Sequence, residues 1–346
     1  MSTTPPTSSP PTQDRIVCLD ECHCEIPSFD IPHTYTGYAN TPPESIAERI
    51  RDATIIITTR VPLSRECLQQ CTSELRLVAA MAAGYDIIDL EACRERGIKV
   101  CNIPSASAES VAEHAFSLYL AVKRRIVELD ALTRAGTEWP EKKTAIHRFG
   151  GLPKTWRSET LGIIGYGTLG RLFLLVRRSR MLTIVGKRIE AIAKALGMSV
   201  LIADRKGVPQ SSTRAGRLGF VETLQKSTAI LLCCPLDAST RGMIGEEELK
   251  SMDNKAILIN VSRGGVVGEE ALVKALKEGW IAGAATDVFA TEPASATTCP
   301  LLEANVPNLT LSPHVAWYAN TSIENLKATI KSNIESFVAG SPVNMV

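Results

Sequence analysis

Short aliphatic runs alternate with segments of helical period along most of this chain. In the first third, Arg15–Asp20, Ala53–Thr58, Leu75–Ala80 and Ile98–Ile103 have the length and composition of buried strands. Ser45–Asp52 and Asp89–Arg96 lie between them and read as short helices. A longer helix is expected from about Glu109, because Val111, Ala115, Leu118 and Val122 fall on one stripe. Ser110 and Glu113 have the spacing of a capping box at its start. A second series of strands follows at Leu161–Ile164, Ser199–Ala203, Ala229–Cys233, Ala256–Ile259, Ala282–Thr286 and Leu309–Leu311. Strands alternating with helices argue for parallel sheets.

Gly136–Glu159 has no clear period and is rich in Pro, Gly, Trp and charge, so it reads as a surface crossing loop. A last helix, near Ile323–Val338, follows the second series and is expected to return to the first domain. Met1–Asp14 is Ser/Thr/Pro-rich and nearly devoid of apolar residues, which predicts a disordered tail. It lacks the apolar centre of a signal peptide.

The strand Leu161–Ile164 runs into Gly165-Tyr166-Gly167-Thr168-Leu169-Gly170. This is the G-x-G-x-x-G fingerprint of a dinucleotide-binding βαβ unit. Its first glycine makes the tight turn, its second admits the pyrophosphate, and its third lets helix and strand pack closely. The N–H groups opening the helix hold the phosphate charge. An acidic residue is expected about 20 residues further on, at the end of the second strand. Asp204 is that residue, but it lies 34 residues beyond Gly170. Residues 171–186 carry two apolar blocks around a basic one and no helical period; Ile189, Ile192, Ala193 and Leu196 then make a clean stripe. Without those 16 residues the spacing falls to 18. We read 171–186 as a translated short intron, since 16 codons keep the frame. A genuine insertion beside the phosphate loop is the alternative.

Composition narrows the function classes. The 346 residues suffice for two domains. Lys+Arg 38 against Asp+Glu 37 leaves a net charge of +1, so no bulk field draws the chain to nucleic acid. No apolar run reaches the roughly 18 residues of a membrane span. The ten cysteines include only Cys22-His23-Cys24 and Cys67 with Cys71 near metal spacing, and neither forms a four-ligand set. Reduced thiols, no metal and a cytoplasmic address are expected.

Three strand ends carry ionisable groups: Asn260-Val261-Ser262-Arg263-Gly264-Gly265, Asp287-Val288-Phe289-Ala290-Thr291-Glu292-Pro293, and Ser312-Pro313-His314-Val315-Ala316-Trp317. All three should sit at the carboxyl edge of one sheet, where open α/β folds bind ligands. Singly, each has an ordinary structural explanation. Together they resemble the D-isomer-specific 2-hydroxyacid dehydrogenases. The resemblance extends to Met81-Ala82-Ala83-Gly84-Tyr85-Asp86, to Glu109-Ser110-Val111-Ala112-Glu113-His114, and to Cys234-Pro235-Leu236. Trp317 is similar to the glycerate dehydrogenase/hydroxypyruvate reductase branch.

The resemblance implies an α/β protein of two Rossmann-like domains with parallel sheets, the cofactor domain inserted into a discontinuous substrate domain. Residues 15–105 and 318–346 would form the substrate domain and 106–317 the NAD-binding domain. It implies Arg263, Glu292 and His314 as catalytic residues. Arg263 would hold the substrate carboxylate and C2 oxygen, His314 would exchange a proton with that oxygen, and Glu292 would orient the imidazole. Ala83, Gly84, Tyr85 and Trp317 would join Arg263 in binding substrate. The cofactor would be NAD, held by Gly165, Gly167, Thr168, Leu169, Gly170, Asp204, Cys234, Pro235, Val261, Ser262 and Asp287, with Asp287 on the nicotinamide amide. The substrate pair would be hydroxypyruvate/D-glycerate or glyoxylate/glycolate, and the enzyme a homodimer. Two other readings stand beside it: an NAD(H)-sensing interaction protein on the same fold, and a chain inactivated by residues 171–186.

Overall fold

The structure, a computed structural model, describes residues 13–104, 106–166, 185–303 and 305–346. The chain divides into two compact units, Met1–Ala106 with Ala319–Val346, and Ser107–Tyr318.

The first unit holds five parallel strands: β1 (Asp14–Cys18), β2 (His33–Gly37), β3 (Ile55–Thr58), β4 (Leu77–Ala80) and β5 (Lys99–Cys101), in the spatial order β2-β1-β3-β4-β5. Strands β3 and β4 are buried at every position. That is why they read as unbroken apolar runs: a parallel sheet covered on both faces leaves no polar side. Strand β2 was not legible, because His-Thr-Tyr-Thr-Gly is polar and mostly exposed at the sheet edge. Asp14 belongs to β1 and not to the tail. Its carboxylate is buried, accepting from Thr54 Oγ1 at 2.7 Å and Arg76 Nη2 at 2.6 Å. The helix Asn320–Val338 buries Leu326, Ile330 and Ile334 in this unit and contacts β4.

The second unit holds β6 (Thr160–Ile164), β7 (Ser199–Ile202), β8 (Ala229–Leu232), β9 (Ile257–Asn260), β10 (Gly283–Thr286) and β11 (Leu309–Leu311), all parallel. Their order is β11-β10-β9-β8-β6-β7. Alternation along the strands feeds two cores. Ile230, Leu232 and Leu258 join one cluster; Ala229, Leu231, Ile257 and Ile259 join the other. The helix Ala108–Lys123 covers the second cluster with Ala112, Ala115, Leu118, Tyr119 and Val122. Its start corrects the capping-box expectation. Ser107 is the N-cap, and Ser110 lies inside the helix with its hydroxyl donating to the Ser107 carbonyl at 3.0 Å.

The crossing segment Gly136–Glu159 is more structured than its composition suggests, with helical pieces at Glu138–Lys142, Ile146–Phe149 and Trp156–Ser158. All ten cysteines are free, and only Cys22 is exposed. Burial pushes the thiols of Cys18 and Cys101 up to about 12. Among the described residues, no helix is long and apolar enough to cross a membrane and no His/Cys/Asp/Glu group has the makings of a metal site.

Candidate active site

The sheet order of the second unit reverses between β6 and β8, and a crevice at such a switch point is where open α/β sheets bind ligands. Gly165 leaves β6 there with φ 105°, and a Cβ on it would stand 2.3 Å from the Cys234 nitrogen. Only glycine serves that turn. Gly167, Thr168, Leu169 and Gly170 lie outside the described residues. The next helix runs from Val185 to Ala195 and so takes in the last two residues of the 171–186 segment. Gly186 is buried, and a Cβ on it would lie 3.2 Å from Tyr166 Cδ2 and 3.3 Å from the Gly165 carbonyl oxygen. It therefore occupies the close helix–strand approach that the third glycine of the fingerprint serves. Excising 170–185 or 171–186 leaves the same sequence, because both ambiguous positions are glycine.

Asp204 follows β7 and is 4% exposed. Hydrogen bonds from the Arg214 side chain hold its carboxyl well below the usual carboxylate range against the opposing effect of burial, with backbone N–H groups of Arg214 and Arg205 adding to the shift. Cys234 is buried beside Gly165, whereas Pro235 is exposed and its carbonyl accepts from Thr240 Oγ1 at 2.8 Å. This edge fits a dinucleotide: a glycine turn, a helix start and an acid at the second strand end.

Arg263 sits in the turn after β9. Asn260, 3% exposed, organises that turn: its Nδ2 donates to the Arg263 carbonyl at 2.9 Å, and its Oδ1 accepts from Ser262 N at 3.0 Å and Ser262 Oγ at 2.7 Å. Val261 and Ser262 are buried in this turn. Gly264 brings it against the segment that carries Glu292. A Cβ there would stand 1.9 Å from the Phe289 carbonyl carbon and 2.3 Å from Ala290 N. Gly264→Ala should therefore force the two backbones apart. We expect a loss of about 1–3 kcal/mol in stability, read as a lower thermal midpoint together with reduced turnover. A variant melting at the wild-type midpoint would show that the two segments do not touch.

The third strand end is tied to the second. Asp287 follows β10 and is 1% exposed. Its carboxylate accepts from Ser312 Oγ at 2.6 Å, Val315 N at 3.0 Å and Ala316 N at 2.9 Å, and lies 3.3 Å from His114 Nε2. His114 is also 2.8 Å from Ser312 Oγ. Burial pushes the Asp287 carboxyl up, but hydrogen bonds from His114, Ser312 and the two backbone N–H groups outweigh it and leave it below its ordinary value. These bonds anchor the loop around His314, whose backbone is left-handed with φ 54°. Such a conformation in a non-glycine residue persists only where the surroundings over-determine it. His114, Ser312 and Asn260 are the residues that sequence reasoning missed in these roles. The only signal for Asn260 was an amide at a strand end before a Gly turn; His114 and Ser312 are 198 residues apart and meet only in the fold.

His314 Nδ1 lies 2.5 Å from Glu292 Oε2, and each side chain is 24% exposed. Glu292 Oε1 accepts from Phe289 N at 2.9 Å, which orients the carboxylate. Trp317 donates from Nε1 to the His314 carbonyl at 3.0 Å. Ala83, Gly84 and Tyr85 belong to the first unit, in the loop after β4 at the carboxyl edge of that unit's sheet. The Ala83 carbonyl accepts from Asn102 Nδ2 at 2.7 Å, and Tyr85 packs on the core of its own unit.

A dinucleotide edge beside an imidazole–carboxylate pair and an arginine turn, all on one parallel sheet, defines a pyridine-nucleotide oxidoreductase. The sequence model of the D-isomer specific 2-hydroxyacid dehydrogenase NAD binding domain matches residues 182–316, a span that begins after the glycines of the fingerprint. The chain is 38% identical over 335 residues to a glycerate dehydrogenase of Methylorubrum extorquens, covering 96% of this chain and 98% of that one. It is 37% identical over 309 residues to a glyoxylate reductase of Thermococcus litoralis, covering 88% and 87%. Among solved structures, D-lactate dehydrogenase from Aquifex aeolicus, complexed with NAD and lactic acid, matches with a TM-score of 0.74 at 26% identity, covering 95% and 96%. The chain belongs to the D-isomer-specific 2-hydroxyacid dehydrogenase family. It is an NAD-dependent oxidoreductase of a 2-hydroxyacid/2-oxoacid pair.

Proposed function

We propose that the enzyme reduces hydroxypyruvate to D-glycerate, or glyoxylate to glycolate, with Arg263, His314 and Glu292 as its working groups. The carrying observation is the 2.5 Å pairing of His314 with Glu292. Bound NADH supplies a hydride to the substrate's C2. Arg263 presents a planar fork that suits a carboxylate and the neighbouring carbonyl oxygen. Its charge stabilises that oxygen as negative charge develops. His314 delivers the proton that completes the hydroxyl, and it takes one back in the oxidative direction. Glu292 holds the ring and balances the imidazolium charge. Trp317 and the loop Ala83–Tyr85 are the proposed further substrate contacts, the latter through backbone N–H groups. Val261, Ser262 and Asp287 are proposed to flank the cofactor, with Asp287 keeping its loop-anchoring bonds. A homodimer in a reducing, cytoplasmic compartment is part of the same proposal, supported by the family and by ten unpaired cysteines.

Residues 171–186 are proposed to be a translated intron, supported by the restored spacing to Asp204 and by Gly186 standing where the third glycine is needed. Transcript sequencing across this point tests it, and a dominant mRNA retaining the 16 codons would end it. The enzyme reading is tested by following NADH loss with hydroxypyruvate, glyoxylate and pyruvate, using the full chain and one lacking 171–186. Hydroxypyruvate or glyoxylate should give the highest kcat/KM. Failure of both proteins to oxidise NADH with any of these would sink the assignment.

A further inference from the structure

An acid at the end of the second strand selects NADH because a free carboxylate accepts the ribose hydroxyls and repels a 2′-phosphate. Asp204 is not a free carboxylate. Its Oδ1 accepts from Arg205 N at 2.7 Å and Arg214 Nε at 3.0 Å, and also from Arg214 Nη2. Its Oδ2 accepts from Arg214 N at 2.8 Å and Arg214 Nε at 3.1 Å. An ionised carboxylate offers about four lone-pair positions, and these donors occupy them. The charge is neutralised within the loop, and a ribose hydroxyl must displace a guanidinium to reach it.

The surroundings are cationic. Arg205 is exposed beside Asp204, and the Arg214 side chain is 44% exposed. Arg217 stands on the inner side, donating to the carbonyls of Ala203 and Tyr166. Lys206 is matched by Glu248 at 2.7 Å, so that pair adds no net charge. Arg205, Arg214 and Arg217 against Asp204 leave the edge with an excess of two positive charges. A guanidinium carries five N–H donors in a fork that suits phosphate as well as carboxylate. The clasp on Asp204 engages Nε and Nη2, so the same group can meet a second anion.

We propose that this edge is a 2′-phosphate subsite, with Arg214 and Arg205 as its cations, and that the enzyme therefore uses NADPH as well as NADH. The proposal rests on the reading of Asp204 as the adenosine-ribose residue. Its test separates the two. Binding of ADP and of 2′,5′-ADP to the full chain is measured by calorimetry, and kcat/KM is measured with NADH and NADPH on one 2-oxoacid. The wild type should bind 2′,5′-ADP at least as tightly as ADP. Arg214→Gln should weaken 2′,5′-ADP by about tenfold, as expected for one charge-assisted bond, and lower NADPH kcat/KM in step. The same change frees Asp204, so ADP should bind more tightly. Arg205→Gln, at an exposed position, should move the same ratio in the same direction, and Arg214→Lys should restore part of the 2′,5′-ADP affinity. A wild type that binds ADP but not 2′,5′-ADP overturns the subsite alone, as does an Arg214→Gln protein that loses both nucleotides equally. Failure to bind either nucleotide, both in the full chain and in one lacking 171–186, overturns the ribose reading and the subsite together.

Discussion

Replacing His314 with alanine should lower kcat for 2-oxoacid reduction by about 10²–10⁴-fold, the range for a positioned general acid. The NADH dissociation constant should stay within about twofold, because the Asp287 anchor is made by side chains and backbone groups other than the imidazole. Stopped-flow turnover and NADH fluorescence titration measure the two quantities on one preparation. Glu292→Gln should act in the same direction with a smaller effect. It keeps an acceptor for His314 Nδ1 but removes the charge that balances the imidazolium. Parallel loss of turnover and NADH binding in His314→Ala would mark the histidine as structural. The left-handed backbone at His314 makes that control necessary, since alanine has no partner for Glu292 and a loop released from that contact could disturb the cofactor edge.

Arg263→Lys is the second large effect. It preserves charge and much of the length of the side chain, so a role as a surface cation would survive it. A role as a two-pronged hold on a carboxylate and a carbonyl oxygen would not, because an ammonium is a point charge without the planar fork. We expect kcat/KM for the 2-oxoacid to fall about 10²–10³-fold, the cost of removing one donor to a developing oxyanion. Both kcat and KM should change, since the fork is engaged with the substrate before and during hydride transfer. The turn itself should persist, because Asn260 holds the Arg263 carbonyl and the Ser262 N–H through backbone bonds that lysine retains. Near-wild-type kcat/KM would remove Arg263 from the chemistry.

Much of this was legible in the amino-acid order. Strands buried on both faces can only be apolar runs, so β3, β4, β8 and β9 stood out, and their alternation with helices implied parallel sheets. Strand β2 did not, because an edge strand exposed to water needs no apolar pattern. The three strand-end segments with Arg263, Glu292 and His314 were visible as a set, since loops after parallel strands collect at one edge. The capping box at Ser110 was misread for a physical reason: Ser-x-x-Glu spacing also occurs one turn inside a helix, where the hydroxyl simply returns to a backbone carbonyl.

The order of residues alone determined that this chain makes parallel α/β sheets, that a glycine turn leaves one strand for a dinucleotide, and that a cation, an acid and a histidine follow later strands. These properties are local, set by hydrophobic period and by residue types that tolerate tight turns. Only the folded molecule decided that Asp287 ties the histidine loop to His114, that Gly264 lets the arginine turn touch the glutamate segment, that Gly186 packs on Gly165, and that Arg214 closes on Asp204. The partners in most of these contacts lie too far apart along the chain for any period to register. Their distances depend on how the strands order themselves in the sheet, and no single stretch of sequence encodes that order.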